Sequence, residues 1–218
     1  MHSPRGRRTD LAIVNELGGI TVFYDPLEFP FTAMLETNWK SVRTELDRLP
    51  AGSFKAWPDR HLYGRPDQQS DGSGWEVFGL YAFGQKMERN CVLCPETTRL
   101  VEGIPGLKTA GFSWLEPGTH IKPHVGYSDT VLRCHLGLVV PDGCALRVGP
   151  KTMAWQEGQC MVFDDTTEHE AWNRSDKVRV VLLLDFLKPG AAFTPPLDGA
   201  ISLLFSQNKD KQPAAARP

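Results

Sequence analysis

The chain has 218 residues, 41% of them hydrophobic, enough to bury a sizeable core as one domain. Its 24 Lys and Arg are scattered among 26 Asp and Glu, a net charge of −2, which excludes the basic footprint of a nucleic-acid binder. The longest apolar stretch, 180–184, is bounded by Arg179 and Asp185 and is far too short to cross a bilayer, and the odd count of five cysteines suits a reducing compartment better than a disulfide framework. Together these features predict a cytoplasmic protein with neither a nucleic-acid nor a membrane partner; they carry no signal of oligomeric state.

Residues 1–18 are polar and basic with no sustained period and no following apolar run, so they read as a loose lead-in rather than a secretory signal. A β-branched and aromatic run predicts a strand over 19–24. Leu35, Trp39, Val42, Leu46 and Leu49 then recur at steps of four and three, the stripe of a helix that begins near Thr32 and is stopped by Pro50. Such a stripe ordinarily covers the outside of a sheet. Residues 55–71 mix aromatic and basic side chains with Pro and Gly, and 74–83 read as a strand; Arg60, Arg65 and Trp75 are candidate substrate contacts from this region.

Cys91 and Cys94 form a CxxC, but no second pair exists to complete a zinc site and no βαβ context surrounds it. Pro95 suits the first turn of a helix running to about Gly103, so the pair is expected to mark a loop-to-helix junction. From Gly111 onward short strands and turns alternate, with hairpin chemistry at Pro141-Asp142-Gly143. This density of short strands predicts a mainly β fold, a double-sheet jelly roll with helices on the outside of one sheet. After Pro189 the sequence loosens; a short helix is expected over 200–206 and disorder at the end.

The chemistry concentrates between His120 and Phe186. Alternation along a strand puts Arg133, His135 and Gly137 on one face and Cys134, Leu136 and Leu138 on the other. Since the second face is apolar and must pack against protein, the first is expected to line a polar cavity. His124 and His169 lie far apart in sequence, each close to turn residues, and histidine is the commonest ligand for transition metals. Two histidines with open positions around the ion suit non-haem iron. The carboxylate that usually completes that set stands two residues after the first histidine, where this chain has Gly126, which leaves room for water or a ligand. His120 shares strand parity with His124, and Pro123 forbids a helix carrying both.

The motifs PGTHIKPHVG, LRCHLGLVVP, the turn Trp155-Gln156-Glu157-Gly158, VFDDTTEHEAWN and Arg179 before an apolar strand resemble the aspartyl/asparaginyl β-hydroxylases. Weaker likeness extends over 31–39, 75–84 and 90–95. That resemblance implies a double-stranded β-helix of the cupin kind over 19–189, preceded by the lead-in and followed by an extension over 190–218. It implies an iron(II)- and 2-oxoglutarate-dependent dioxygenase that uses O2 to hydroxylate an unactivated C–H bond and releases succinate and CO2. By the same resemblance His124 and His169 are the metal ligands and Arg179 and Ser113 hold the distal carboxylate of 2-oxoglutarate. Arg133 and His135 stand near its metal-chelating end, Arg133 counting among the catalytic groups. Asp164, Asp165, Glu168 and Glu170 are expected to shape the turn and orient His169, with water rather than a carboxylate on the metal.

Family members act on aspartyl or asparaginyl residues in peptides, on free amino acids or on lipid acyl chains. The expectation here is the β-carbon of an aspartyl or asparaginyl residue or of a small-molecule amino acid. The helical-repeat region and membrane anchor of the large animal members are not in this sequence, which speaks against carrying over their substrate and against a membrane lipid. Two alternatives stand beside this reading: an acyl-chain hydroxylase, and a non-catalytic cupin-like protein that binds a metal or a small acid.

Overall fold

The computed structural model describes residues 22–56 and 74–193. Within them two sheets face each other. The larger has the strand order β1 (Phe23–Tyr24), β10 (Cys160–Phe163), β7 (Val131–Val139), β12 (Arg179–Leu187), β5 (Leu107–Leu115), β3 (Trp75–Ala82) and β2 (Lys55–Ala56), with the short β4 (Gln85–Lys86) hairpinned onto β3. The smaller has the order β6 (His120–His124), β11 (His169–Asn173), β8 (Cys144–Val148) and β9 (Lys151–Met153). Every named pairing is antiparallel, and the chain changes sheet repeatedly between β5 and β12, which is the jelly-roll arrangement expected from the strand pattern.

The helices lie on the outer face of the larger sheet. α1 (Pro30–Asp47) starts at a proline in its first position and buries Phe31, Leu35, Val42 and Leu46, most of the stripe read from the sequence. It sits over β7 and β10, where Cys134, Leu136, Leu138, Cys160 and Val162 point outward to meet it. A fully buried leucine of this kind contributes about 1.5–3 kcal/mol. The helix expected from Pro95 is α3 (Pro95–Glu102), and the CxxC before it is not a loop but spans the end of a further short helix, α2 (Glu88–Leu93), the two separated at Cys94. Pro95 has no N–H to continue α2, so the chain turns there and restarts.

No side chain of α3 itself caps its N-terminus. Glu45 of α1 does so instead, accepting from Glu96 N at 2.8 Å, Thr97 N at 2.8 Å and Thr97 Oγ1 at 2.6 Å. That one carboxylate ties the two helices together. Cys91 and Cys94 are both buried with free thiols, and burial pushes Cys94 up to about 12, so the CxxC is inert packing at the junction.

A second core fills the space between the sheets, built from Trp75, Leu115, Ile121, Leu146, Val148, Met161, Phe163 and Val181 among others. β7 and β12 are therefore buried on both faces, and the inward face of β7 carries Arg133 and His135. No helix among the described residues is long and apolar enough to cross a membrane. The lead-in, the candidate contacts Arg60 and Arg65, the helix expected over 200–206 and the end of the chain lie outside the described residues.

Candidate active site

His124 ends β6 and His169 begins β11, and strand pairing sets them directly opposite one another. Their rings lie 4.2 Å apart between centroids, and the two residues are only 6% and 3% exposed. The same local device orients both. His124 Nδ1 donates to the carbonyl of Lys122 at 2.8 Å, and His169 Nδ1 donates to that of Thr167 at 2.9 Å, each two residues back. A ring whose Nδ1 carries the hydrogen has its lone pair on Nε2, which is the form that ligates a metal.

Burial holds both rings neutral. His124 is lowered to about 4 and His169 well below the usual range, the nearby Arg133 adding to the effect on each. His120, by contrast, is exposed and turned outward, its Nε2 at 2.7 Å from Glu170 Oε2, in a surface cluster with Arg147 and Glu168. Among the described residues no third His, Cys, Asp or Glu joins the pair in a grouping able to hold a metal ion.

The room expected beside Gly126 is filled. A Cβ at that position would overlap the Asp165 carboxylate, and Gly126 N donates to Asp165 O at 2.6 Å. Of the four acidic residues around His169, Asp165 alone is fully buried. Arg133 pairs with it, with Nη2 at 3.2 Å from Oδ2. Burial raises Asp165 to about 7, Arg133 pulling it back and Asp185 pushing it further. Asp164 does shape the turn as expected, accepting from Thr166 N and Oγ1 and pairing with Lys188 at 2.9 Å.

Arg133 differs from the expectation in its partner. Its Nε and Nη2 grip Asp185 at 2.7 and 3.0 Å, a bidentate pair between residues opposite one another on β7 and β12, and Tyr127 OH donates to the same carboxylate at 3.1 Å. Asp185 is the residue the sequence reading missed; the signal was a carboxylate inside the otherwise apolar run 180–187.

The remaining site residues close a circuit of contacts with the histidine pair. Trp75 stands 6.4 Å from the His124 ring and donates through Nε1 to Ser113 Oγ at 3.1 Å. Arg179 Nη1 reaches the Ser113 carbonyl at 3.5 Å, and its guanidinium lies 4.8 Å over the Trp155 ring. Trp155 Nε1 donates to His135 Nδ1 at 3.2 Å, and Phe163 bridges His135 to His169 with centroid separations of 5.1 and 5.7 Å. Two donors in this circuit, His135 Nε2 and Arg179 Nε, are buried with no hydrogen-bond partner among the described residues. Arg179 is lowered to about 10 by burial, so it remains charged at neutral pH.

Unsatisfied buried polar atoms are costly in a folded chain, and the two Asp165 carboxylate oxygens share that condition among the described residues. The structure brings His124, His169, His135, Ser113 and Arg179 into one region, with Trp75, a candidate contact from the sequence, and Trp155 and Phe163, which were not among the candidates, between them.

The burial of the histidines gives the metal-free chain a definite pH dependence. Between about pH 6.5 and 4 the unfolded chain protonates His124, His135 and His169, whereas the folded chain, whose three values are depressed, does not. Asp165 acts in the opposite sense, because with its value raised to about 7 the folded chain holds that proton and the unfolded one does not. Three depressed histidines outweigh one raised carboxyl, so the unfolded side takes up more protons and stability falls as pH drops through this window. Urea unfolding of chelator-treated protein at several pH values measures the slope. A flat profile would mean that the histidines are not buried neutral.

Fold and site together define a cupin-like jelly roll with a buried pair of facing histidines beside two buried, unsatisfied donors. The profile of the family described as aspartyl/asparaginyl beta-hydroxylase matches residues 36–189, and the chain belongs to that family of hydroxylases. It is 43% identical over 169 residues to the ornithine lipid ester-linked acyl 2-hydroxylase of Rhizobium tropici, covering 76% of this chain and 60% of that one. It is 34% identical over 182 residues to the human aspartyl/asparaginyl beta-hydroxylase, covering 77% and 23% respectively. Mouse aspartate beta-hydroxylase domain-containing protein 2 is 35% identical over 169 residues, covering 73% of this chain and 48% of its own length. The alignments thus span between about a quarter and three fifths of these relatives.

Proposed function

We propose that the protein is an iron(II)- and 2-oxoglutarate-dependent dioxygenase that hydroxylates an unactivated C–H bond. The observation that carries this reading is the in-register pair of buried, neutral histidines, each with Nδ1 tied to a carbonyl so that Nε2 presents its lone pair. These two residues would hold the iron. When bound, iron and 2-oxoglutarate supply the activation of O2 that places one oxygen atom on the substrate carbon, with succinate and CO2 as coproducts.

The chain's own contribution is binding, orientation and charge. Arg179 and Ser113 suit the distal carboxylate of 2-oxoglutarate, since a guanidinium matches a carboxylate fork and this one lacks a carboxylate partner among the described residues. His135 adds an N–H from the inner face of β7. Arg133, fixed by Asp185 and flanked by Asp165, places positive charge near both metal histidines and helps keep them neutral. Trp75, Phe163 and Trp155 line the same region with apolar surface, which favours exclusion of water from the reacting centre.

For the substrate, the family reading points to a carbon close to a carboxyl or acyl group. The higher identity with the acyl 2-hydroxylase than with the β-hydroxylases favours the acyl chain of an amino-acid lipid over an aspartyl residue. Succinate release from 2-oxoglutarate under iron(II) and O2 tests the reading. The panel comprises acyl ornithine lipids, free amino acids and aspartyl or asparaginyl peptides, with mass analysis for one added oxygen atom. Succinate coupled to an oxygenated lipid is the expected result. A product only from the peptides would return the assignment to aspartyl or asparaginyl β-hydroxylation, and no succinate with any of them would leave a non-catalytic binding protein.

A further inference from the structure

We infer that Trp155 is the positioning residue that sets the hydrogen-bonding form of His135 and the seat of Arg179, a role that rests on the cosubstrate reading above. An indole N–H can only donate. Because Trp155 Nε1 meets His135 Nδ1 at 3.2 Å, that nitrogen must be the acceptor, and the hydrogen of the neutral ring must sit on Nε2. His135 Nε2 is therefore a donor, buried and without a partner among the described residues. Burial and the neighbouring arginines keep the ring from taking a second proton.

The same indole offers its face to the Arg179 guanidinium at 4.8 Å. One side chain thus holds both unpartnered donors, and it uses a different part of itself for each: the ring edge for His135 and the ring face for Arg179.

The local sequence explains how Trp155 arrives there. Gly137 lies two residues beyond His135 on the same face of β7, and a Cβ on it would overlap the Gln156 carbonyl. Lacking one, it lets the 155–159 turn lie on the strand, fastened by Gly158 N to Gly137 O at 2.9 Å and Gly137 N to Gln159 O at 3.1 Å. Gly158, at a φ of 76°, completes the turn where a side chain would strike the Trp39 indole. The glycine after the histidine and the tryptophan in the turn are two parts of one device.

Trp155→Phe separates the two functions, since phenylalanine keeps a ring face for Arg179 and removes the N–H. In chelator-treated wild-type protein labelled with 15N at histidine, NMR should show His135 protonated at Nε2 alone. In Trp155→Phe the ring should become a mixture of tautomers. Affinity for 2-oxoglutarate, measured by calorimetry with iron(II) and without O2, should fall roughly three- to tenfold, the loss of one neutral hydrogen bond. Trp155→Leu, which also removes the ring face, should bind more weakly still.

A wild-type His135 protonated at Nδ1 overturns the inference, and that measurement needs no variant to fold. An unchanged tautomer in Trp155→Phe also overturns it, as does a changed tautomer with unchanged affinity. A wild-type protein with the expected tautomer that binds no 2-oxoglutarate would overturn the cosubstrate reading and the positioning role built on it, while leaving the tautomer assignment in place.

Discussion

His169→Ala is expected to abolish iron(II) binding and turnover while leaving the jelly roll folded. The backbone of residue 169 pairs with Val148 on one side and His124 on the other, and these ladder contacts do not need the imidazole. What the substitution removes is one of only two protein ligands in the proposed site, in a place where no third His, Cys, Asp or Glu among the described residues can compensate. Loss of a group that merely orients a metal ligand typically costs about 10- to 100-fold in affinity; loss of a ligand from a two-ligand site should cost more. His124→Ala should behave in the same way, because the strand register makes the two positions equivalent partners. Metal analysis after dialysis against iron(II), with circular dichroism to confirm the fold, decides the matter. Full iron occupancy in His169→Ala would end the two-histidine assignment.

The parts of this architecture that are local in sequence were legible in it. The period of two on β7 correctly separated Arg133 and His135 from Cys134, Leu136 and Leu138, because one buried apolar face forces the register of the other. The stripe on α1 was legible for the same reason at a period near 3.6, and Pro95 announced the start of α3. Contacts that depend on which strands become neighbours were not. The Arg133–Asp185 pair joins residues on β7 and β12, so an arginine that looked available for a ligand already has a carboxylate on it. The overlap of Asp165 with the space at Gly126 arises because the 164–168 turn folds back over the end of β6, and spacing alone suggested a vacancy there. Trp155 was visible as part of a motif, but its bond to His135 depends on a turn laid over Gly137, which no local pattern encodes.

Arg179→Met should divide binding from stability. Arg179 is 1% exposed, and among the described residues its Nε has no partner and no carboxylate pairs with it. Its guanidinium lies 4.8 Å over the Trp155 ring and 3.5 Å from the Ser113 carbonyl, both modest returns for a desolvated charge. Burial lowers it to about 10, which leaves it cationic at neutral pH at a cost to the folded state. In the proposed reading such a residue is stabilised when the carboxylate of 2-oxoglutarate arrives. Removing a charge-paired, desolvated contact of this kind costs on the order of 2–5 kcal/mol, or roughly thirty-fold to several thousand-fold in 2-oxoglutarate affinity. Methionine fills comparable volume without a charge, so the variant lacking cosubstrate should be no less stable to urea than the parent, since apolar replacement of buried charge is often neutral or stabilising. The parent should gain stability when 2-oxoglutarate is added, and the variant should not, because a ligand stabilises only the state that binds it. If Arg179→Met weakens the protein without cosubstrate and leaves saturation by 2-oxoglutarate unchanged, the arginine is packing between Trp155 and the sheet, and the carboxylate of the cosubstrate must be held elsewhere.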